Sequence, residues 1–297
     1  MTEIVSHIPV LLGKVIEFMA PVTDKNFIDA TGGPGNMSRA LLERTAPSGR
    51  VLTLDYDSRI AEEQARILGA FGARSVRCRA NFSRIKEIAG DEGFIPCDGI
   101  LFDLGLSSAM IDRGEYGMSF THDGPLDMRM DASSPITAEK LVNELSEKAL
   151  IELFRSVDER RFAARIARAI VRARSRKPIR TTSELVSIIA NAVPSRYWPR
   201  NMHVATRPFL AIRIAVNQEA ENLETALGSC YDILSDGGVL VAICYSSFED
   251  RIVKAEIGSR RERWERLSKK AVRPEADEIE RNPRSRSARL RAYAKVA

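Results

Sequence analysis

Cysteine and histidine are scarce in this sequence, with four of the first and three of the second in 297 residues. Cys78, Cys97, Cys230 and Cys244 are scattered, and no two form a C-x-x-C pair. That spacing argues against structural zinc, and a chain of this length does not need a disulfide framework. The four are expected to be buried, reduced thiols, with no metal site. Long apolar runs are missing too. No stretch approaches the roughly 18 residues of a membrane span. The N-terminal MTEIVSHIPVLLGKVIEF lacks a basic start, an apolar run and a small-residue cleavage site, so a secretory signal is not expected and the default location is cytoplasmic. Charge of one sign is not dominant: 45 Lys and Arg stand against 40 Asp and Glu, a net +5. Only the placement of that charge is informative.

What is present is a sizeable apolar fraction, 44% of residues, enough for a large core. In the first half, short β-branched runs alternate with helical patterns. Strands are expected at 27–30, 50–55, 75–79 and 98–104, and helices at 36–46 and 59–70. Such alternation predicts βαβ units and a parallel sheet with helices on both faces. It stops after about residue 107. Residues 107–135 are rich in Gly, Asp, Met and Ser, and about 137–192 read as helix only, with Thr137 and Thr182 as helix-start residues. A fifth strand is expected at 239–244 and a last one at 290–296. The expected architecture is therefore an α/β sheet domain, 1–110 and 204–297, with a mainly helical domain, 111–203, inserted between strands four and five.

Asp29-Ala-Thr-Gly-Gly-Pro-Gly-Asn-Met-Ser38 follows the first strand and opens a helix. Its glycines allow a tight turn and close approach of a ligand to the backbone. Asp55 ends the second strand, where a carboxylate can accept hydrogen bonds from a ribose diol. Together they point to an adenosine-containing cofactor. A dinucleotide fingerprint needs a third glycine, and Ser38 stands in its place. S-adenosylmethionine needs only the close turn, and Asp29 suits its ammonium. Phe82, just after the third strand, fits either an adenine wall or plain core packing.

Ligands of open α/β sheets bind beyond the carboxyl ends of the strands. Asp103 is expected there, in Asp103-Leu-Gly-Leu-Ser-Ser108, as is Ser246-Ser247 after strand five. The run Asp123-Gly-Pro-Leu-Asp-Met-Arg-Met-Asp131 is unusual enough in composition to suggest function rather than filler. Further on, Arg161, Arg165, Arg168, Arg172 and Arg176 step by four, three, four and four, within about 80° of arc on a helix. Apolar residues occupy another face. A one-sign stripe predicts phosphate contact, whereas a merely solvated face usually mixes signs. The stretch Arg281–Arg291 adds five arginines in eleven residues.

These residues resemble the MraW (RsmH) family of bacterial small-subunit rRNA cytosine-N4 methyltransferases, over about residues 7–291. The resemblance is carried by His7-Ile-Pro-Val-Leu-Leu12, Asp103–Ser108 and Gly124-Pro-Leu-Asp-Met-Arg-Met-Asp131. It continues through Glu159–Val171, His203-Val-Ala-Thr-Arg207, Arg213-Ile-Ala-Val-Asn217, Phe248–Lys254 and Asn282-Pro-Arg-Ser-Arg-Ser287. It implies a Rossmann-like, S-adenosylmethionine-dependent methyltransferase sheet with an inserted helical recognition domain. The implied substrate is a decoding-centre cytidine of 16S rRNA within a largely assembled small subunit. The family's cofactor positions map onto Gly35, Asn36, Met37, Asp55, Phe82, Asp103 and Met110, and Gly33 of the same loop is expected to meet the cofactor as well. Three runs depart from its pattern. Gly35-Asn36-Met37 stands for Gly-Gly-His, Met110 for Gln, and Cys244-Tyr-Ser-Ser-Phe-Glu-Asp-Arg251 for Ser-Phe-His-Ser-Leu-Glu-Asp-Arg.

A cytosine N4 amine is weakly nucleophilic, so a hydrogen-bond acceptor at its N–H helps; Asp103 is the first candidate and the expected catalytic residue, and a nearby backbone carbonyl is the second. Carbon-5 methylation would need a cysteine beyond strand four, whereas Cys97 precedes it. Expected rRNA contacts are Arg161, Arg165, Arg168 and Arg172, with Arg284 and Arg286. Three rivals stay open: a DNA amino-methyltransferase, a ribosome-assembly factor on the same fold without activity, and a nicotinamide dehydrogenase. The first lacks its usual Pro-Pro-aromatic run, the second rests on the departures, and the third is disfavoured by Ser38.

Overall fold

A computed structural model describes residues 8–106, 110–111 and 114–297. His7, Ser107 and Ser108, which belong to motifs above, lie outside the described residues. The chain divides into two compact units, one of residues 1–105 and 220–297, the other of residues 106–219.

The first unit is built on a sheet whose parallel strands follow the sequence alternation: β1 (Phe27–Asp29), β2 (Val51–Asp55), β3 (Ser75–Arg79), β4 (Cys97–Asp103) and β5 (Leu234–Cys244). Interleaved helices are α1 (Leu12–Met19), α2 (Asn36–Arg44), α3 (Ala61–Leu68) and α4 (Ile85–Asp91). The sheet has seven strands in the order β3-β2-β1-β4-β5-β7-β6, closed by β6 (Trp264–Arg266) and β7 (Arg289–Lys295), with β7 antiparallel to β5 and β6 antiparallel to β7. The order reverses between β1 and β4. That switch point opens a crevice at the carboxyl ends of the strands.

Adjacent residues on each strand point into different cores, as period two requires. Ile28, Leu52, Ile100, Phe102 and Leu240 join one buried cluster. Phe27, Val51, Leu101, Val241 and Leu290 join another. Both faces are covered, so the strands read as nearly continuous apolar runs. Two features escaped the sequence reading. β6 is only three residues long, with Trp264 buried between exposed arginines and glutamates. β5 begins at Leu234 rather than Val239, because it bulges against β4 between Cys97 and Gly99 and leaves Asp236 and Gly237 exposed.

The second unit is helical: α5 (Ala138–Glu144), α6 (Glu147–Ser156), α7 (Ala163–Arg174), α8 (Thr182–Ala192) and α9 (Thr206–Asn217). Helix α6 packs on α7, α7 on α8, and α9 on α5 and α6. Hence this unit extends to residue 219, beyond the expected 203, because α9 buries Phe209, Ile212 and Val216 among helices rather than on the sheet. It also begins at 106 rather than 111. The cap of α8 is Thr181, one residue before the expected Thr182, since Glu184 three residues on completes a capping box with it. The chain returns to the sheet through α10 (Glu219–Ile233).

The Gly124–Asp131 run is the staple of this second unit. The Leu126 N–H donates to the Arg180 carbonyl at 2.9 Å. Asp127 takes Arg129 in a bidentate pair at 2.8 Å for both bonds. At the end of α9, the Asn217 side chain donates to the Met128 carbonyl and accepts from the Met130 N–H, both at 2.8 Å. Arg213 forks onto Glu219 with two bonds of 2.8 Å. A left-handed Met128, at φ 60°, turns the run between these anchors. Replacing Asn217 with Ala strips partners from two backbone groups in a part-buried place. It should lower stability by about 2 kcal/mol, read as a fall in the melting temperature with unchanged helix content. An unchanged melting temperature would remove Asn217 from the scaffold.

Candidate active site

Three carboxylates end strands at the crevice edge of the sheet. Asp29 ends β1 and is fully buried. Its oxygens accept the Ser38 hydroxyl at 2.7 Å and the Thr31 N–H at 3.3 Å, and Ser38 is in turn within 2.8 Å of the Thr53 hydroxyl. Burial, with Asp55 nearby, pushes the Asp29 carboxyl up to about 6 against those hydrogen bonds. The carboxylate therefore serves the inside of the loop.

Asp55 ends β2. One oxygen accepts the Gly33 N–H and the other the Asp57 N–H, each at 2.9 Å. Burial raises its carboxyl above the ordinary value, and these two N–H groups oppose the rise. A carboxylate has about four acceptor sites, so lone pairs remain for a diol. The Gly33 carbonyl accepts the Gln64 amide at 2.7 Å, which fixes the loop from the other side. Gly33 and Gly35 are left-handed, at φ 49° and 100°. At Gly32 a Cβ would collide with the Thr53 side chain, so only glycine fits. No side chain caps α2 at Gly35.

Asp103 ends β4 at the switch point. Its N–H donates to the Thr31 hydroxyl at 2.6 Å. One carboxylate oxygen accepts the Tyr245 hydroxyl at 2.9 Å, and the other has no partner among the described residues. Burial pushes Asp103 up to about 7; the Tyr245 hydroxyl works against that, and the charges of Asp29 and Glu249 add to it. Tyr245 itself is raised above the ordinary phenol range by its own burial and by Asp103.

Tyr245 was not singled out from the sequence. It follows β5, the strand hydrogen-bonded to β4, and its signal was a hydroxyl where the family run reads Phe. The ring lies against Gly105, whose Cβ would come within 3.0 Å of it, and the Tyr245 N–H donates to Glu249 at 2.7 Å. Ser246 caps α11 (Ser247–Gly258), accepting the Glu249 N–H while Glu249 accepts the Ser246 N–H.

The remaining expected residues fall as follows. Phe82 stands edge-on to Phe102 at 5.8 Å and packs on the sheet core, half-buried. The Met37 side chain is buried in the α2 core, so what position 37 offers a ligand is backbone. Asn36 begins α2. Met110 belongs to the second unit and is buried there. Cys97 opens β4 at the edge away from the crevice, buried and pushed up to about 12 by desolvation, so it is an inert thiol.

The arginine stripe is shorter than the spacing predicted. Helix α7 spans Ala163–Arg174, so Arg161 and Arg176 lie outside it. Arg161 stacks over the Tyr197 ring at 4.0 Å instead. Arg165, Arg168 and Arg172 stay exposed on one face, and Ile166 and Ile170 are buried on another. Arg168 meets Glu147 at 3.5 Å with both side chains exposed, a pair worth little. Arg165 and Arg172 have no ion pair among the described residues. Arg284 and Arg286 are exposed in a short 3-10 helix of the first unit.

The chain matches the MraW methylase family over residues 4–296. It is similar to "Ribosomal RNA small subunit methyltransferase H" of Syntrophobacter fumaroxidans, 42% identical over 310 aligned positions, covering 97% of this chain and 96% of that one. The protein of the same name from Thermomicrobium roseum is 43% identical, covering 98% of this chain and 94% of its own. That from Desulfotalea psychrophila is 40% identical, covering 98% of both. Matches of this length and identity span the glycine loop, the Asp103 segment and the helical unit alike, and they place the chain in the MraW methylase family.

Proposed function

We propose that this protein methylates the N4 amine of a decoding-centre cytidine in 16S rRNA, within a largely assembled small ribosomal subunit. The coarser statement follows from family membership: the protein is an S-adenosylmethionine-dependent methyltransferase of small-subunit rRNA. The observation that carries the finer one is Asp103, a half-buried carboxylate at the switch point with one oxygen held and the other without a partner among the described residues.

The crevice residues fit the methyl donor. Asp55 keeps acceptor sites for the ribose hydroxyls, Gly33 and Gly35 bring backbone close, and Phe82 offers a half-buried ring to the adenine. The donor supplies an electrophilic methyl group on a sulfonium. The rest falls to the chain: positioning the acceptor, excluding water and polarising the amine. The free Asp103 oxygen accepts one N4–H, which raises electron density on the nitrogen. Tyr245 holds the carboxylate in one orientation and favours its ionised form. In the helical unit, Arg165, Arg168 and Arg172 contact rRNA phosphates, and Arg284 and Arg286 add contacts from the sheet unit.

The direct test is mass-spectrometric nucleoside analysis of 16S rRNA from a deletion strain, with and without complementation. N4-methylated cytidine should vanish and return. Its persistence in the deletion strain would end the proposal.

Four narrower outcomes are expected. Asp55→Ala should weaken donor binding by about 1–3 kcal/mol in calorimetry, and undiminished affinity would remove Asp55 from the ribose site. The arm of the pH–rate profile that falls toward acid should lie near 7, because turnover is lost as the Asp103 carboxylate protonates. Tyr245→Phe deletes a hydrogen bond to the charged form, so that arm should move to higher pH; an unmoved arm would exclude this coupling. Changing Arg165, Arg168 and Arg172 together to Gln should flatten the salt dependence of RNA binding by up to about three units, with donor affinity unchanged. A lower melting temperature with an unaltered salt slope would mean that these arginines serve the fold.

A further inference from the structure

The segment between α8 and α9 exposes an unusual surface. Residues 195–202, Ser-Arg-Tyr-Trp-Pro-Arg-Asn-Met, are all exposed. Tyr197, Trp198 and Met202 are 38%, 40% and 42% exposed, although large apolar side chains normally avoid water in such a cluster. The segment carries two arginines and no acid. Arg161 reaches it from the turn before α7, its guanidinium 4.0 Å from the Tyr197 ring centroid, and Arg196 lies 4.9 Å from the same ring. The nearby carboxylate of Glu159 is already engaged by the Phe162 N–H and by Arg207.

The rings are held in place. The Trp198 indole N–H donates to the Val193 carbonyl at 2.9 Å. His203 packs near the indole at 6.1 Å, and Phe120 stands 4.8 Å from His203. Tyr197 has Phe162 at 5.6 Å. Side chains already fixed in this way lose little freedom when something binds.

We propose that Tyr197 and Trp198, flanked by Arg161 and Arg196, form a stacking platform for unpaired bases of RNA. Every base has a π-face, so ring stacking tolerates sequence, and a guanidinium offers both a stacking plane and a charge for the backbone. Positive charge without acid complements a phosphate chain better than it complements a protein surface of mixed sign. The platform rests on the reading of the substrate as rRNA. It differs from the α7 stripe in kind, because it contributes stacking where the stripe contributes charge.

Trp198 reports on the idea directly. The chain has two tryptophans, and Trp264 is buried against Tyr231 in the sheet unit. A short single-stranded 16S rRNA oligonucleotide should quench emission of the full-length protein, and Trp198→Phe should abolish the quenching. The same strand annealed to its complement should quench far less. Replacing Tyr197 and Trp198 together with Ala should weaken single-strand binding, read by fluorescence anisotropy, about tenfold or more, leaving the salt slope unchanged. Full anisotropy binding without quenching, or equal quenching by strand and duplex, would overturn the platform while leaving the rRNA reading intact. A change in Trp198 emission on adding small-subunit proteins, but none with the oligonucleotide, would assign the patch to a protein partner and overturn it as well. Absence of binding to any rRNA would defeat both readings together.

Discussion

Burying carboxylates at the ends of parallel strands is costly, and the loops of the sheet unit are arranged around that cost. A charged group taken from water needs hydrogen bonds or it protonates. Asp29 receives Ser38 and Thr31, Asp55 receives two backbone N–H groups, and Glu249 receives those of Tyr245 and Ser246. The loops beyond β1, β2 and β5 are therefore folded onto a carboxylate that ends a strand or lies in the first turn of a helix. Asp103 is the exception, with one donor to its carboxylate and no partner for the other oxygen among the described residues. The same logic accounts for Ser38 where a dinucleotide loop has glycine. Its hydroxyl is the main donor to Asp29, and a glycine there would leave a buried carboxylate short of partners.

The most distinctive sequence run and the segment that carries Asp103 at the end of β4 are different things. Gly124–Asp131 is unusual because its backbone is pinned by Arg180 and Asn217 and turned at a left-handed Met128. Its Asp127–Arg129 fork closes the loop on itself. Nothing in those contacts is chemistry on a substrate. Rare composition here reflects exacting geometry in a unit with no sheet to organise it. The short Asp103-Leu-Gly105 segment, by contrast, combines a strand end, a carboxylate oxygen without a partner among the described residues and a glycine that leaves room for an aromatic ring.

The sheet was legible because its strands are short apolar runs separated by helices of period 3.6, and that pattern needs no distant partner to be seen. Ser75–Arg79 was placed to the residue. The edges were less legible. Trp264–Arg266 is too short and too charged to show a period, and α9 looks amphipathic whichever unit receives it. At the site, the glycine loop, Asp55 and Asp103 could be read as strand-end residues, since strand ends set the crevice. Tyr245 could not, because its bond to Asp103 joins positions 142 residues apart. The reach of the arginine stripe was overestimated for a related reason. Spacing alone cannot say where a helix starts, and Phe162 stands at the helix entry without a side-chain cap.

The departures from the family pattern also acquire physical content. Met37 packs in the core behind α2, so a change of side chain there leaves the backbone of the loop in place. Ser246 takes the first position of a capping box, and serine is among the best residues for that task. By fixing the entry to α11 it also fixes Glu249, which holds the Tyr245 backbone and so helps set where the phenol meets Asp103. The Ser246 cap and the Tyr245 hydroxyl are thus adjacent parts of one arrangement. A variant restoring Phe at 245 and His at 246 together would remove the donor and the cap at once, so its two effects on Asp103 should not be additive.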